Sequence, residues 1–225
     1  MPIPPPPLDH WPRHAELDGL LRTWAQARPD LLAVETIGRS HEGRDIWLCT
    51  ITATGTGPAA EKPALWVDAN IHATEVTGGA AALHLIHHLI DLHGRDAEVT
   101  RALETRAFYV VPRLNPDGVE RVLADRPEYP RSGVRAWPLP DPQPGLHMSD
   151  VDGDGRILSM RIRDETGHWT AHPDEPRLLV PRPLTDDSGT GYRLLGEGHL
   201  VDYDGDLIKV APALAGLDFN RNFPQ

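Results

Sequence analysis

The stretch Ala64–Glu75 carries the side chains of this sequence that are best suited to chemistry. It reads ALWVDANIHATE, an apolar run that leads into His72 and Glu75. Imidazole nitrogen and carboxylate oxygen are both ligands that zinc accepts. Because open α/β sheets bind ligands outside the carboxyl ends of their strands, a strand ending here would deliver both groups to one metal ion. The spacing alone fits a surface pair as well as a metal site, and it is the position at a strand end that makes a shared metal ion the expectation for His72 and Glu75. A second His-x-x-Glu, His172–Glu175, follows no predicted strand and is interpreted as a surface pair.

Hydrophobic periodicity predicts the elements that must position this site. The β–α–β order between Leu65 and Val111 predicts a parallel, right-handed arrangement. The expected fold class is therefore α/β, with a mostly parallel or mixed open sheet that is incomplete in this chain, flanking helices and a polar, hairpin-rich insertion. Helices are predicted at 13–27, 76–92 and 96–106, and strands at 31–37, 45–52, 64–68 and 108–111.

Composition shifts along the chain predict its division into parts. Residues 1–12 contain the run Pro4–Pro7 and are expected to be extended, as a tail or a strap. Residues 13–225 are expected to form one partial domain, with the insertion at about 148–213.

Two further motifs follow predicted strands or loops. Asn115-Pro116-Asp117-Gly118 is interpreted as a turn, because proline fixes φ and glycine allows a chain reversal. The motif Asp218–Phe223 (DFNRNF) comes near the last residue of the sequence. In this order, and together with His72-x-x-Glu75, the two motifs resemble the N-terminal part of the zinc carboxypeptidases, the M14 metallocarboxypeptidase family.

The resemblance implies a function and roles for particular residues. Zinc would be the cofactor, and zinc-activated water would hydrolyse the C-terminal bond of peptides or proteins. His72 and Glu75 would be two of three zinc ligands, and Asn220 and Arg221 would bind the terminal α-carboxylate, which suits a guanidinium fork. Arg131, or less favourably Arg135, would polarise the scissile carbonyl.

The family pattern is not complete in this sequence. The family's third zinc ligand, mobile tyrosine and general base lie downstream of the Asn-Arg motif, where these 225 residues offer none. We therefore expect the chain to be the first part of a longer enzyme and to be inactive alone. The alternatives are a zinc amidohydrolase of N-acyl amino acids, or a non-catalytic module that binds peptide or calcium.

A second candidate site lies within the insertion. Asp150, Asp152 and Asp154 match the opening of a calcium-binding loop. Position 12 of that loop is Arg161 and not the bidentate glutamate, which excludes a standard EF-hand. Asx-type turns explain the same pattern equally well.

Overall charge and composition limit the possible partners. The net charge of −11 disfavours nucleic acid and anionic membrane surfaces. A single cysteine, Cys49, forms no internal disulfide, and the first residues lack the pattern of a signal peptide. We therefore expect a cytoplasmic protein.

Overall fold

The structure, a computed structural model, describes residues 3–128, 130–137, 142–212 and 216–224. The chain divides into two compact units. The first contains residues 1–140 and 214–225, and the second contains residues 141–213. The predicted metal site lies in the first unit.

A four-stranded open sheet forms the centre of the first unit. Its strands are β1 (Leu32–Arg39), β2 (Asp45–Ile51), β3 (Ala64–Asp68) and β4 (Ala107–Val111), in the order β1-β2-β4-β3. β2 is antiparallel to both β1 and β4, whereas β3 and β4 are parallel. The sheet is therefore mixed, and the parallel β–α–β unit is found where the sequence predicts it.

The helices of the first unit bury apolar side chains at helical spacing, and two of them pack against the sheet. They are α1 (His14–Ala27), α2 (Val76–Leu92), α3 (Ala97–Thr105) and α4 (Pro116–Val122). α1 packs against β1, and α2 packs against β2, β4 and α3. Residues three and four apart share a helix face, which is how Leu17, Leu21 and Trp24 of α1 all become fully buried.

The Asn-Pro-Asp-Gly motif is the start of α4, and its interpretation as a turn is wrong. Asn115 is the N-cap residue, and its side chain accepts a hydrogen bond from the Gly118 N–H at 3.1 Å. Pro116 occupies the first helical turn, where its missing N–H removes no hydrogen bond. Gly118 therefore has helical geometry. Chain reversal does not explain why this position is a glycine.

The proline-rich N-terminal segment lies against the first unit as a strap. Ile3 is buried, and the Pro4 carbonyl accepts a hydrogen bond of 2.8 Å from the indole of Trp24. The Pro12 carbonyl accepts one of 2.7 Å from the buried Arg113. These contacts hold the segment in place, because an extended proline-rich chain has no internal hydrogen bonds.

β3 is an edge strand with exposed apolar side chains. Within the described residues it pairs only with β4. Leu65 and Trp66 remain 52% and 53% exposed. The Ala69 N–H and the Pro63 carbonyl bond to the β4 side. By alternation, the backbone groups of Ala64, Trp66 and Asp68 face outward.

The second unit consists of short antiparallel pairings. Its strands are β5 (Gly145–Met148), β6 (Ser159–Arg163), β7 (Trp169–Ala171), β8 (Leu179–Pro181), β9 (Tyr192–Gly196) and β10 (Gly198–Val201). They form a pair, β10-β5, and a sheet of order β6-β9-β7-β8.

The second His-x-x-Glu motif lies in this unit. His172 directly follows β7, so the expectation that it follows no strand is wrong. Its Nδ1 accepts a hydrogen bond from the Asp174 N–H, and Glu175 forms an ion pair with Arg177, so the two side chains have separate partners. None of the described helices has the length and apolar character that a membrane crossing requires.

Candidate metal centre

The junction between β3 and α2 positions the two predicted metal ligands. Asn70 adopts a left-handed conformation with φ of 56°, which turns the chain out of the sheet. Its side-chain Nδ2 donates to the Glu75 carbonyl at 2.6 Å and so ties the strand end to the start of α2. Gly79 of α2 leaves room for Asn70, because a Cβ there would overlap its Oδ1. His72 and Glu75 therefore belong to a loop whose backbone is held in place by Asn70.

His72 lies between two carboxylates. Its Nδ1 is 3.0 Å from Glu75 Oε1, and its Nε2 is 3.1 Å from Asp218 Oδ1. The His72 side chain is only 8% exposed, whereas that of Glu75 is 63% exposed. The ring is thus held from the protein side by Asp218, with Glu75 on the open side.

This arrangement fits a cation between His72 and Glu75. A carboxylate can only accept, and a neutral imidazole has one N–H, so His72 can donate to Asp218 or to Glu75 but not to both. When Nε2 donates to Asp218, Nδ1 presents a lone pair to the Glu75 carboxylate. Only a second ring proton or a metal ion makes that contact attractive. Imidazole nitrogen and carboxylate oxygen suit zinc, and a carboxylate on the other ring nitrogen is usual for a zinc-bound histidine.

Asp218 also receives Arg131. The Arg131 Nε donates to Asp218 Oδ2 at 2.9 Å. This hydrogen bond lowers the pKa of Asp218 to about 2, with smaller contributions from His72 and the Asn220 N–H, against an opposing effect of burial. Asp218 is therefore a charged acceptor for His72 across the physiological pH range.

Three segments distant in sequence meet beside this centre through hydrogen bonds. The Ala73 N–H donates to the Arg131 carbonyl at 2.9 Å. Ser132 Oγ accepts from the Phe219 N–H at 3.1 Å, and the Ser132 carbonyl accepts from Asn115 at 2.6 Å. These hydrogen bonds hold the segment of Asp218 next to His72.

Gly118 allows the close approach of α4 to the metal-site loop. A Cβ at Gly118 would lie 2.7 Å from the Cβ of Ala73 and 2.7 Å from Asn115 Nδ2. No side chain fits there without moving the residue next to His72. Close packing, and not an unusual φ, therefore requires glycine at this position.

Asp117, the neighbouring motif residue, anchors the turn between β1 and β2. Its carboxylate accepts from Ser40 Oγ at 2.6 Å, from the Glu42 N–H at 2.9 Å and from Arg44 at 2.6 Å. Burial alone would raise the pKa of Asp117, but these donors, led by Ser40, lower it. Its role is structural.

The predicted carboxylate-binding residues lie just after Asp218. Asn220 and Arg221 belong to the 3-10 helix Phe219–Arg221, which Asp218 caps. Both side chains are exposed. Arg221 Nη1 donates to the Asn220 carbonyl at 3.0 Å, and no carboxylate of the described chain pairs with Arg221.

The acidic loop of the second unit is built from Asx-type turns. Asp150 accepts from Gly153 and Gly155, Asp152 accepts from Asp154, and Asp154 accepts from Arg156, all through backbone N–H groups. Over the four described ranges, the one group of three potential metal ligands within 4.8 Å contains Asp150, Asp152 and Glu197. Asp154, the third predicted calcium ligand, is not part of this group, so the predicted set of three is not found together and calcium binding is not supported.

A protein-family model described as zinc carboxypeptidase matches residues 17–138 of this sequence. The match covers more than half of the 225 residues and includes the β3–α2 junction and the Asn-Pro-Asp-Gly motif. This chain belongs to the zinc carboxypeptidase family. Of the predicted site residues, His72, Glu75 and Arg131 lie inside the match, whereas Asn220 and Arg221 lie beyond it.

Two curated relatives and one solved structure are similar to parts of this chain. Carboxypeptidase M of Mus musculus is 30% identical over 116 residues, which cover 51% of this chain and 26% of that protein. Carboxypeptidase B of Astacus astacus is 26% identical over 160 residues, or 71% of this chain and 45% of that protein. This family member therefore spans less than half the length of either relative. The solved structure of carboxypeptidase A from Helicoverpa armigera has a TM-score of 0.49 and 25% identity, over 58% of this chain and 31% of that one.

Sequence reasoning did not assign a role to Asp218, which the structure places on His72. The signal was its position two residues before Asn220, at the start of the DFNRNF motif. Because 146 residues separate the two side chains, no local spacing could connect them.

Proposed function

We propose that this chain provides the zinc-binding and carboxylate-binding parts of a metallocarboxypeptidase, which removes the C-terminal residue of peptides or proteins. The observation that carries this proposal is the 3.0 Å approach of His72 Nδ1 to Glu75 Oε1, with Asp218 on the opposite ring nitrogen. Two carboxylates around one buried imidazole are costly unless a cation or a proton joins them.

The residues of the metal centre then have distinct tasks. His72 and Glu75 hold the zinc, and Asp218 fixes the tautomer and the orientation of the imidazole. A zinc ion bound there supplies Lewis-acid chemistry for amide hydrolysis. Arg131 donates to Asp218 through Nε, and its side chain is 60% exposed, so its terminal N–H groups are available to a substrate carbonyl.

Asn220 and Arg221 bind the substrate's terminal carboxylate in this proposal. Support comes from the exposed guanidinium of Arg221 and from the 3-10 helix that Asp218 caps. A guanidinium can donate two parallel hydrogen bonds to the two oxygens of a carboxylate, whereas a C-terminal amide has one carbonyl oxygen and no charge. The site should therefore distinguish free C-termini from amidated ones.

A binding experiment with paired peptides tests this function. The zinc-loaded chain is titrated calorimetrically with one peptide as the free acid and as the C-terminal amide. We expect the acid to bind at least about tenfold more tightly, which corresponds to about 1.4 kcal/mol. Arg221→Ala should remove the difference, while Arg101→Ala, an exposed arginine on α3, should keep it. Equal binding of acid and amide by the unaltered chain would refute the carboxylate-reading role.

A further inference from the structure

A cavity in the first unit lies apart from His72 and Glu75. It has a volume of about 300 Å³, near the lower end for ligand pockets. Its apolar lining comes from three places in the chain: Ile46 on β2, Leu114 and Pro116 around the start of α4, and the loop residues Val134, Trp137, Leu217 and Phe219. The metal ligands are not among its lining residues.

Most polar groups in the cavity wall are already satisfied. The Asp117 carboxylate is occupied by Ser40, the Glu42 N–H and Arg44. Asn115 caps α4 and donates to the Ser132 carbonyl. The interior therefore offers an apolar surface and no free carboxylate.

Arg135 brings a charged group without a partner among the described residues to the cavity wall, which also includes the polar side chain of His41. It lines the cavity, is exposed, and has no ion pair or side-chain hydrogen bond within the described part of the chain. The protein carries a net charge of −11, so carboxylates are abundant, yet this guanidinium is left without one. A cation beside an apolar pocket favours a ligand that joins an apolar group to an anion.

The walls of the cavity continue from the metal centre. Residues 131–135 and 217–221 contribute Arg131 and Asp218 to that centre, and the same two segments contribute Val134 and Phe219 to the cavity. The segments are joined where the Gly133 N–H donates to the Leu217 carbonyl at 3.4 Å. A Cβ at Gly133 would lie 3.1 Å from the Phe219 ring, so glycine permits this contact.

We propose that this cavity is a binding site for a peptide segment in which an aromatic or aliphatic side chain is followed by an acidic residue. The apolar side chain fills the space between Trp137 and Phe219, and the carboxylate pairs with Arg135. The anion in this proposal is a side-chain carboxylate of the peptide. The site is therefore separate from the proposed binding of a terminal carboxylate by Arg221.

Blocked dipeptides separate this site from the proposed metal centre. The probe is acetyl-Phe-Asp-amide, which has no free C-terminus for Arg221 to bind. Acetyl-Ala-Asp-amide lacks the apolar group, and acetyl-Phe-Asn-amide lacks the charge. Each is titrated into the 225-residue chain, with a chelator present, and followed by NMR chemical shifts. We expect acetyl-Phe-Asp-amide to bind at least about tenfold more tightly than either analogue.

Variants of the chain identify the location of binding. Arg135→Ala should weaken the Phe-Asp probe about tenfold, and so should Val134→Phe, which fills the cavity but keeps the cation. Arg126→Ala, which removes an exposed charge from the same loop region, and Arg221→Ala should leave the affinity unchanged. Circular dichroism and the thermal midpoint verify folding of each variant. Equal affinity for the three probes, or a Val134→Phe chain that binds normally, would overturn the proposal, whatever the outcome for the metal centre.

Discussion

Asp218 Oδ1 lies 3.1 Å from His72 Nε2, although 146 residues separate the two in sequence. The contact joins the segment that carries Asn220 and Arg221 to the junction that carries the proposed metal ligands, His72 and Glu75. One carboxylate thus orients the imidazole and positions the residues proposed to bind substrate.

Removing this carboxylate should weaken metal binding. Asp218→Ala leaves His72 free to rotate and to change tautomer, and loss of such a partner costs about 10- to 100-fold in metal affinity. Zinc affinity is measured by competition with a chromophoric chelator. Asp204→Ala, at an exposed turn of the second unit, is the control and should bind like the parent, whereas His72→Ala should lose binding. An Asp218→Ala chain with parental affinity would contradict the role.

The same residue should give stability a defined acid dependence. Its pKa is lowered from 3.8 to about 2, chiefly by Arg131, so the folded state favours the ionised form. The stabilisation is fully present above 3.8 and is lost as the pH falls toward about 2. In urea unfolding, Asp218→Asn should be less stable than the parent at neutral pH, and the gap should close over that interval. A gap that widens on acidification would contradict this assignment.

Gly118 should be intolerant of even a methyl group. Gly118→Ala places a Cβ 2.7 Å from that of Ala73, and such overpacking costs about 1–3 kcal/mol. Gly19→Ala is the matched control, since nothing lies within 4 Å of a Cβ there. It should stabilise α1 by about 0.5–1 kcal/mol. The free energy of unfolding is measured for both, and a stabilised Gly118→Ala chain would disprove the close approach.

Loss of Asp117 should destabilise the first unit. Asp117→Ala removes the acceptor of the Ser40 hydroxyl and of the Glu42 N–H, whereas Arg44 keeps its ion pair with Glu42, so the cost should be about 1–3 kcal/mol. Asp125→Ala, an exposed change just beyond α4, should stay within about 0.5 kcal/mol of the parent. Chemical denaturation measures both, and similar effects would show that Asp117 is not an anchor.

Local patterns predicted much of the first unit because each element carries its own signal. The helix at Val76–Leu92 is found with the predicted bounds, and the run before Val111 forms the expected buried parallel strand. The His72–Glu75 pair could be predicted for the same reason, because the strand, the turn and the two side chains follow one another in the sequence.

What the sequence did not reveal depends on contacts between distant residues. The fit of Gly118 against Ala73 is invisible until two segments are packed together. By contrast, the start of α4 was readable, because asparagine followed by proline is a common way for a helix to begin. The capping side chain of Asn115 is what makes this motif a helix start and not a turn.

The exposed edge of β3 has a practical consequence for handling this chain. An edge strand with outward-facing backbone groups and large apolar side chains is a template on which further chains assemble. Leu65 and Trp66 supply the apolar part of that template. Solutions of this chain should therefore lose monomer as the concentration rises, and a lysine in place of Leu65 would act as a gatekeeper against precipitation.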